Sequence, residues 1–280
     1  MNAHYNKIEK SPMRLVVISP EGDDPREIAV LGSLFRAGLE RYHVRKPHWS
    51  APKLASWLDA LPCGWRTRLV LHQHHDLVAR FGLGGRHWRD DDKAPGIAET
   101  SLQRSPFRSS RDGGSLSSLK IASRESGDAA LQRGAFASRS CHDSATLRAA
   151  LGRFDSVFFG PIFPSLSKPG YGPDAGSRMK RSVVRDRRRP DGRAADSGAP
   201  SVERPFSGLA NLLERRTELE RHTAVFALGG VTVEKLAQVR ALGFDGAAVL
   251  GAVWQATDPL AAFLALQAES EALRCATTSS

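Results

Sequence analysis

Residues 224–254 read AVFALGGVTVEKLAQVRALGFDGAAVLGAVW, and their pattern decides the kind of fold. The apolar run Ala224–Leu228 meets Gly229-Gly230, the stretch Thr232–Gly243 carries apolar residues at helical spacing, and a second apolar run, Gly246–Leu250, meets Gly251. Strand, glycine turn, amphipathic helix and strand make a βαβ unit. Its two strands must run parallel, because a parallel return needs a connection about a helix long, and the crossover is right-handed.

The same alternation extends upstream. Short apolar or β-branched runs occur at Arg14–Ser19, Arg41–Arg45, Arg68–His72, Gly84–Trp88, Ala135–Ser140 and Ser156–Gly160, which with the two above gives eight candidate strands. Amphipathic helical stretches separate most of them: Asp24–Gly38, Ala51–Leu61, Asp143–Arg153, Thr232–Gly243, and Asp258–Leu273 after the last strand. Asp24-Pro25, Ser50, Asp143 and Thr232 stand where N-caps or first-turn residues belong. Eight such units predict a (β/α)₈ barrel of the TIM type, the fourth and sixth being weakest. An open doubly wound sheet is the alternative, but no G-x-G-x-x-G follows the first strand.

Charge and composition fit one barrel with two intrusions. The 280 residues carry 40 Lys+Arg against 30 Asp+Glu, a net charge of +10 that by itself suggests nucleic acid or an acidic membrane as partner. Residues 93–135 hold seven basic and four acidic side chains, and residues 177–205 hold nine and four. The remaining 208 residues therefore carry only +2. Both basic segments lack apolar residues to pack, being serine-rich between Ser101 and Ser126 and reading RDRRRPDGR at Arg185–Arg193. They are read as long, disordered surface insertions. No aromatic interleaves RDRRRPDGR as a base-stacking platform would require, so nucleic acid is not expected as a partner.

Residues 1–12 are read as a leader and 13–280 as a single interrupted barrel domain. Three cysteines without C-x-x-C spacing indicate neither a disulfide framework nor a cysteine zinc cluster, which favours a reducing cytoplasm. No run approaches the roughly 18 apolar residues needed to cross a bilayer, so no membrane association is expected. A homo-oligomer is compatible with everything above.

In a TIM barrel the catalytic groups follow the C-terminal ends of the strands. Here those ends carry His43, Arg45 and Lys46 on strand two; His72, Gln73, His74, His75 and Asp76 on strand three; His87 and Asp90–Asp92 on strand four; Ser140, Cys141 and His142 on strand five; Lys168 after strand six; Gly229-Gly230 on strand seven; and Leu250-Gly251 on strand eight. Six of the nine histidines thus gather at one end. Glycines directly after strands seven and eight allow close backbone approach, the arrangement that barrels use to bind phosphate. The HQHH run at His72–His75 offers metal ligands, though consecutive histidines cannot all converge without a tight turn.

Four motifs, RSCH at Arg139–His142, FGPIFPSLSKPGY at Phe159–Tyr171, ALGGV at Ala227–Val231 and GFDGAAVLGAVW at Gly243–Trp254, resemble in order and spacing the thiamine phosphate synthase and thiazole tautomerase family. The resemblance implies a (β/α)₈ enzyme of thiamine biosynthesis whose small-molecule partner is a thiazole phosphate. It implies a phosphate cradle at Gly229, Gly230, Leu250 and Gly251, a phosphate or catalytic contact from Lys168, and substrate contacts from Arg45, His43, His72, Gln73 and Ser140.

Two activities occur in that family. The synthase couples a pyrimidine methyl diphosphate to the thiazole phosphate with Mg²⁺ assisting departure of the diphosphate. Its pattern has an Arg and, two positions on, a Lys after strand two; here Arg45 remains but the Lys position is Pro47, with Lys46 beside it as a replacement. Its magnesium-binding Asn-Asp after strand three is His72-Gln73 here, leaving Asp92 as the metal ligand if this is a synthase. The tautomerase instead moves a proton to aromatise the thiazole, with neither metal nor diphosphate and no other cofactor. Histidine suits such a step, and His142 matches the acid/base histidine of the family. The departures lean toward the tautomerase. The synthase and a non-catalytic phosphate-ligand sensor are the alternatives, and His142 serving only to cap the helix begun by Asp143 is the plainer reading of that residue.

Overall fold

The computed structural model describes residues 12–92, 135–166, 172 and 207–276. Eight parallel strands close into a barrel in sequence order: β1 (Arg14–Ile18), β2 (Tyr42–Val44), β3 (Leu69–Leu71), β4 (Gly85–Trp88), β5 (Phe136–Cys141), β6 (Ser156–Phe159), β7 (Ala224–Leu228) and β8 (Gly246–Val249), with β8 returning to β1. The expected (β/α)₈ architecture is the observed one. The leader up to Ser11, residues 93–134 of the first insertion, the second insertion 177–205 and Lys168 all lie outside the described residues.

The helices are α1 (Glu27–Arg36), α2 (Ala51–Asp59), α3 (Asp76–Phe81), α4 (Ser144–Ala150), α5 (Ser207–Glu214), α6 (Glu218–Arg221), α7 (Leu236–Ala241), α8 (Gly251–Trp254) and α9 (Pro259–Ala276). Ser50 and Asp143 cap as expected: the Ser50 hydroxyl accepts from the Lys53 amide, and the Asp143 carboxylate accepts from the amides of Ala145 and Thr146. Thr232 makes no side-chain cap. Its hydroxyl is engaged with the Glu234 carboxylate, and a 3₁₀ turn at Val233–Lys235 precedes α7. The pair α5 and α6 is absent from the periodicity reading, although T-x-x-E at Thr217–Glu220 spells the reciprocal capping box that starts α6.

Alternation along each strand sorts side chains onto the two faces of the sheet. Val17, Tyr42, Val44, Leu69, Leu71, Val157, Val225, Ala247 and Val249 join one large core with the helices. Their neighbours of opposite parity, Val16, Ile18, Phe158, Ala224, Phe226 and Ala248, form a second, smaller cluster inside the barrel. At the N-terminal end the Arg14 guanidinium lies over Phe226 and that of Arg41 over Phe136, so two cations plug the floor. The barrel is locked from outside by Trp254, whose indole N–H donates to the Ile18 carbonyl at 2.9 Å, and by Arg216, whose fork holds Asp245 at 2.7 and 3.1 Å. Among the described residues no helix is long and apolar enough to cross a membrane.

Candidate active site

The upper interior of the barrel is chemically two-sided. Inward positions of β6, β7, β8 and β1 supply Phe158, Leu228, Leu250 and Ile18. Those of β2 to β5 supply His43, His87, Ser138 and Ser140, and His72 follows directly on β3. His43 and His87 are fully enclosed while His72 is half-buried.

The three imidazoles touch. His43 Nδ1 lies 3.1 Å from His72 Nε2, and the rings of His72 and His87 stack with centroids 4.0 Å apart. His87 bridges two serines, Nδ1 to Ser138 Oγ and Nε2 to Ser140 Oγ, each at 2.8 Å. Ser138 also donates to the Arg86 carbonyl at 3.4 Å. A hydroxyl has one proton, so His87 Nδ1–H donates to Ser138, and Nε2 accepts from Ser140. Burial pushes all three imidazoles to the neutral side, with His87 adding to the effect on His43 and His72, and brings His87 itself down to about 3. His43 Nε2 is buried with no hydrogen-bond partner among the described residues.

The tight turn that the HQHH run needed is present. His74 adopts φ 53°, a left-handed conformation that histidine tolerates better than most residues. The turn sends His72 into the barrel and the next two histidines away from it. His74 Nε2 donates to the Trp49 carbonyl at 2.8 Å, and His75 Nε2 to the His87 carbonyl at 3.1 Å. Gln73, between them, has a buried amide nitrogen without a partner among the described residues.

At the lip, His142 follows β5 and is exposed, with Nδ1 2.6 Å from the Gly160 carbonyl. A carbonyl only accepts, so Nδ1 carries the proton and Nε2 holds the lone pair. Cys141, one residue earlier, points the other way: it is fully buried, and burial pushes its thiol up to about 12, which removes it as a nucleophile. Arg45 is half-buried and paired with Glu21, while its backbone is clasped by Ser19, whose hydroxyl accepts from the Arg45 amide at 2.8 Å and donates to the Arg45 carbonyl at 3.1 Å.

Lys46 does not reach the mouth and cannot stand in for a lysine at Pro47. Strand parity turns it outward beneath α1, where it is fully buried against Glu27 and donates to the Gly22 carbonyl at 2.8 Å. The Asp92 carboxylate accepts from the Arg89 amide at 2.7 Å and closes the turn after β4.

Gly229 and Gly230 both have positive φ, 93° and 62°. They are pressed against the segment after β6: a Cβ on Gly230 would sit 2.1 Å from the Pro164 carbonyl oxygen, and one on Gly229 2.9 Å from Pro161. Gly251 opens α8 directly after Leu250, with Leu166 packed against it. The backbones after β6, β7 and β8 therefore meet on one side of the mouth, with His142 reaching the first of them through Gly160. The sequence reading named His43, His72 and Ser140, but not their convergence on His87 and Ser138.

No protein-family model and no curated protein matches the sequence. Several solved structures share the fold. A thiamine phosphate pyrophosphorylase from Bacteroides thetaiotaomicron is 20% identical, aligned over 93% of this chain and 97% of that one with a TM-score of 0.53. One from Pyrococcus furiosus is 15% identical over 93% and 96%, with a TM-score of 0.58. The 3-hexulose-6-phosphate synthase of Salmonella typhimurium is 11% identical over 93% and 100%, with a TM-score of 0.50. At these identities the likeness is one of fold.

Proposed function

We propose that the chain is an enzyme acting on a thiazole phosphate and that its reaction is the proton shift that aromatises the ring. The observation that carries this reading is the state of His142. Its Nδ1–H is spent on the Gly160 carbonyl, so Nε2 is the basic nitrogen of an exposed ring at the C-terminal end of the barrel. A fixed tautomer of that kind accepts a proton from one ring position and returns it to another without reorienting.

The surroundings suit the substrate. The mouth has an apolar half at Phe158, Leu228, Leu250 and Ile18 for a flat ring, and a polar half at His72, Gln73 and Ser140 for its substituents. The turns at Gly229-Gly230 and Gly251 bring the backbone at the ends of β7 and β8 to one side of the mouth, where the phosphate would lie, while Arg45 would exchange its Glu21 partner for a substrate carboxylate and Lys168 belongs to the segment that follows β6. Synthase chemistry would also need Mg²⁺, a hard cation that prefers oxygen ligands. At the position after β3 this chain offers an imidazole and a side-chain amide, and the Asp92 carboxylate is already bonded in its own turn. The donor set does not fit that ion.

The test is turnover of the unaromatised thiazole carboxylate phosphate by the purified chain, followed by the ultraviolet absorbance of the aromatic product. His142→Ala should lower kcat about 10²- to 10⁴-fold while leaving ligand binding in place. An unimpaired variant refutes the role. Formation of thiamine phosphate when pyrimidine methyl diphosphate and Mg²⁺ are supplied would make the protein a synthase, and saturable binding without turnover in either assay would make it a sensor.

A further inference from the structure

Below the lip, His43 and His87 have no task in the proton shift, and His72 only lines the mouth there. One ring nitrogen from each of His43, His72 and His87 lies within 4.8 Å of those of the other two, and the rings come from three adjacent strands. We propose that His43, His72 and His87 form a binding site for one borderline divalent transition metal of the Zn²⁺ type, with the remaining coordination position facing the barrel mouth.

Two observations lead there. The first is spacing. Zinc binds imidazole nitrogen at about 2.0–2.1 Å, so two nitrogens on one tetrahedral ion stand about 3.4 Å apart. His43 Nδ1 and His72 Nε2 are already at 3.1 Å. The widest separation in the set, up to 4.8 Å, must contract by about 1.4 Å to reach that geometry, so the rings draw together as the ion binds.

The second is orientation. His87 gives its Nδ1–H to Ser138, which fixes the tautomer that presents Nε2, and histidines that bind metals are oriented by a partner on the other nitrogen in the same way. The Ser140 hydroxyl that now occupies Nε2 would be displaced by the ion.

The ligand set selects the ion. It contains neither thiolate nor carboxylate, which disfavours Ca²⁺ and Mg²⁺ and suits Zn²⁺, Co²⁺ or Ni²⁺. Three neutral ligands leave the full double positive charge of the ion uncompensated. The open position would therefore take an oxygen of water or of an anionic ligand entering past His72, as in catalytic rather than structural zinc sites. This inference does not rest on the proton-shift reading, which needs no metal.

The experiment uses the full chain without an affinity tag, stripped with chelator and titrated with Co²⁺, whose visible absorption reports ligand geometry. The expected result is saturation at one ion per chain, with displacement by Zn²⁺. His72→Ala, at the half-buried corner where truncation leaves no closed void, should abolish the absorption while far-ultraviolet circular dichroism stays native. Ser138→Ala should weaken binding about 10- to 100-fold through loss of the orienting bond. His222→Ala, at an exposed histidine after α6, should change nothing. Absence of a saturable signal in the parent chain, or its survival in His72→Ala, would overturn the site and leave the cluster as hydrogen-bonded filling. Because the readout is spectroscopic, its failure says nothing about thiazole turnover, and failure of turnover says nothing about the metal.

Discussion

Replacing Lys46 with methionine should destabilise the protein strongly at neutral pH and much less in acid. Lys46 and Glu27 are both enclosed, with side-chain exposures of 0% and 2%. Lys46 Nζ donates to the Glu27 carboxylate and to the Gly22 carbonyl and lies 4.7 Å from the centre of the Trp49 ring, while the Tyr42 hydroxyl donates to the other Glu27 oxygen at 2.7 Å. Methionine fills most of the volume but leaves a buried carboxylate with Tyr42 alone, and breaking such a pair typically costs about 3–5 kcal/mol. Urea denaturation followed by tryptophan fluorescence should move to a midpoint lower by about 1 M or more, given slopes of about 1–3 kcal/mol per molar. Burial already holds the Glu27 pKa above the ordinary carboxylate value, with Lys46 opposing it. Without Lys46 it rises further. A folded-state pKa above the unfolded one favours folding below the unfolded value, and that contribution is lost as pH rises through the folded value. The deficit of Lys46→Met must therefore shrink as the pH is lowered and Glu27 takes up a proton. Adding Glu27→Gln to the variant removes the stranded charge and should restore about 2 kcal/mol at neutral pH. A deficit below about 1 kcal/mol, or one that does not depend on pH, would show that water reaches the pair and that β2 and α1 are not sealed as described.

Two further outcomes test the scaffold around the mouth. Gly230→Ala places a Cβ 2.1 Å from the Pro164 carbonyl oxygen at φ 62°, and should lower stability by about 2 kcal/mol or more through backbone strain and displacement of the segment after β6; a melting temperature within about 2 °C of the parent, less than 1 kcal/mol for a chain of this size, would refute that packing. Asp143→Ala should cost about 0.5–2 kcal/mol in chemical denaturation by removing the carboxylate that caps α4, while Asp143→Asn, which also caps, should cost only a few tenths. Equal losses for Ala and Asn would show that charge rather than capping matters there.

What was legible in the sequence follows from what is local. Strands and most helices declare themselves through short apolar runs and 3.6-residue periodicity, so all eight strands fall within a residue or two of their observed places. The missed pair α5 and α6 adjoins the second basic segment, where no strand-sized run marks the resumption of the barrel; the capping box at Thr217–Glu220 was the available signal. The fate of Lys46 also lay in the pattern: on a strand where His43 and Arg45 face inward, period two turns Lys46 outward to α1. Only the partner, Glu27, is a tertiary fact, since nothing local to either residue pairs them across 19 positions.

The histidine cluster shows where the linear reading must stop. His43 pairs in register with Val70, and Val70 with Gly85, which puts His43 two residues short of His72 and His87 along the strand direction. In a flat sheet those rings would occupy different rows. Strands in a closed barrel tilt by about 36°, so following register partners around the wall changes height along the axis. A residue two positions short on β2 thus shares a layer with residues on β3 and β4, and His43 Nδ1 meets His72 Nε2 at 3.1 Å. Residue types and inward parity can be read from the chain, but their meeting depends on the shear of the barrel. It is that shear which turns histidines spread over 45 residues into a single cluster of ring nitrogens beneath the mouth.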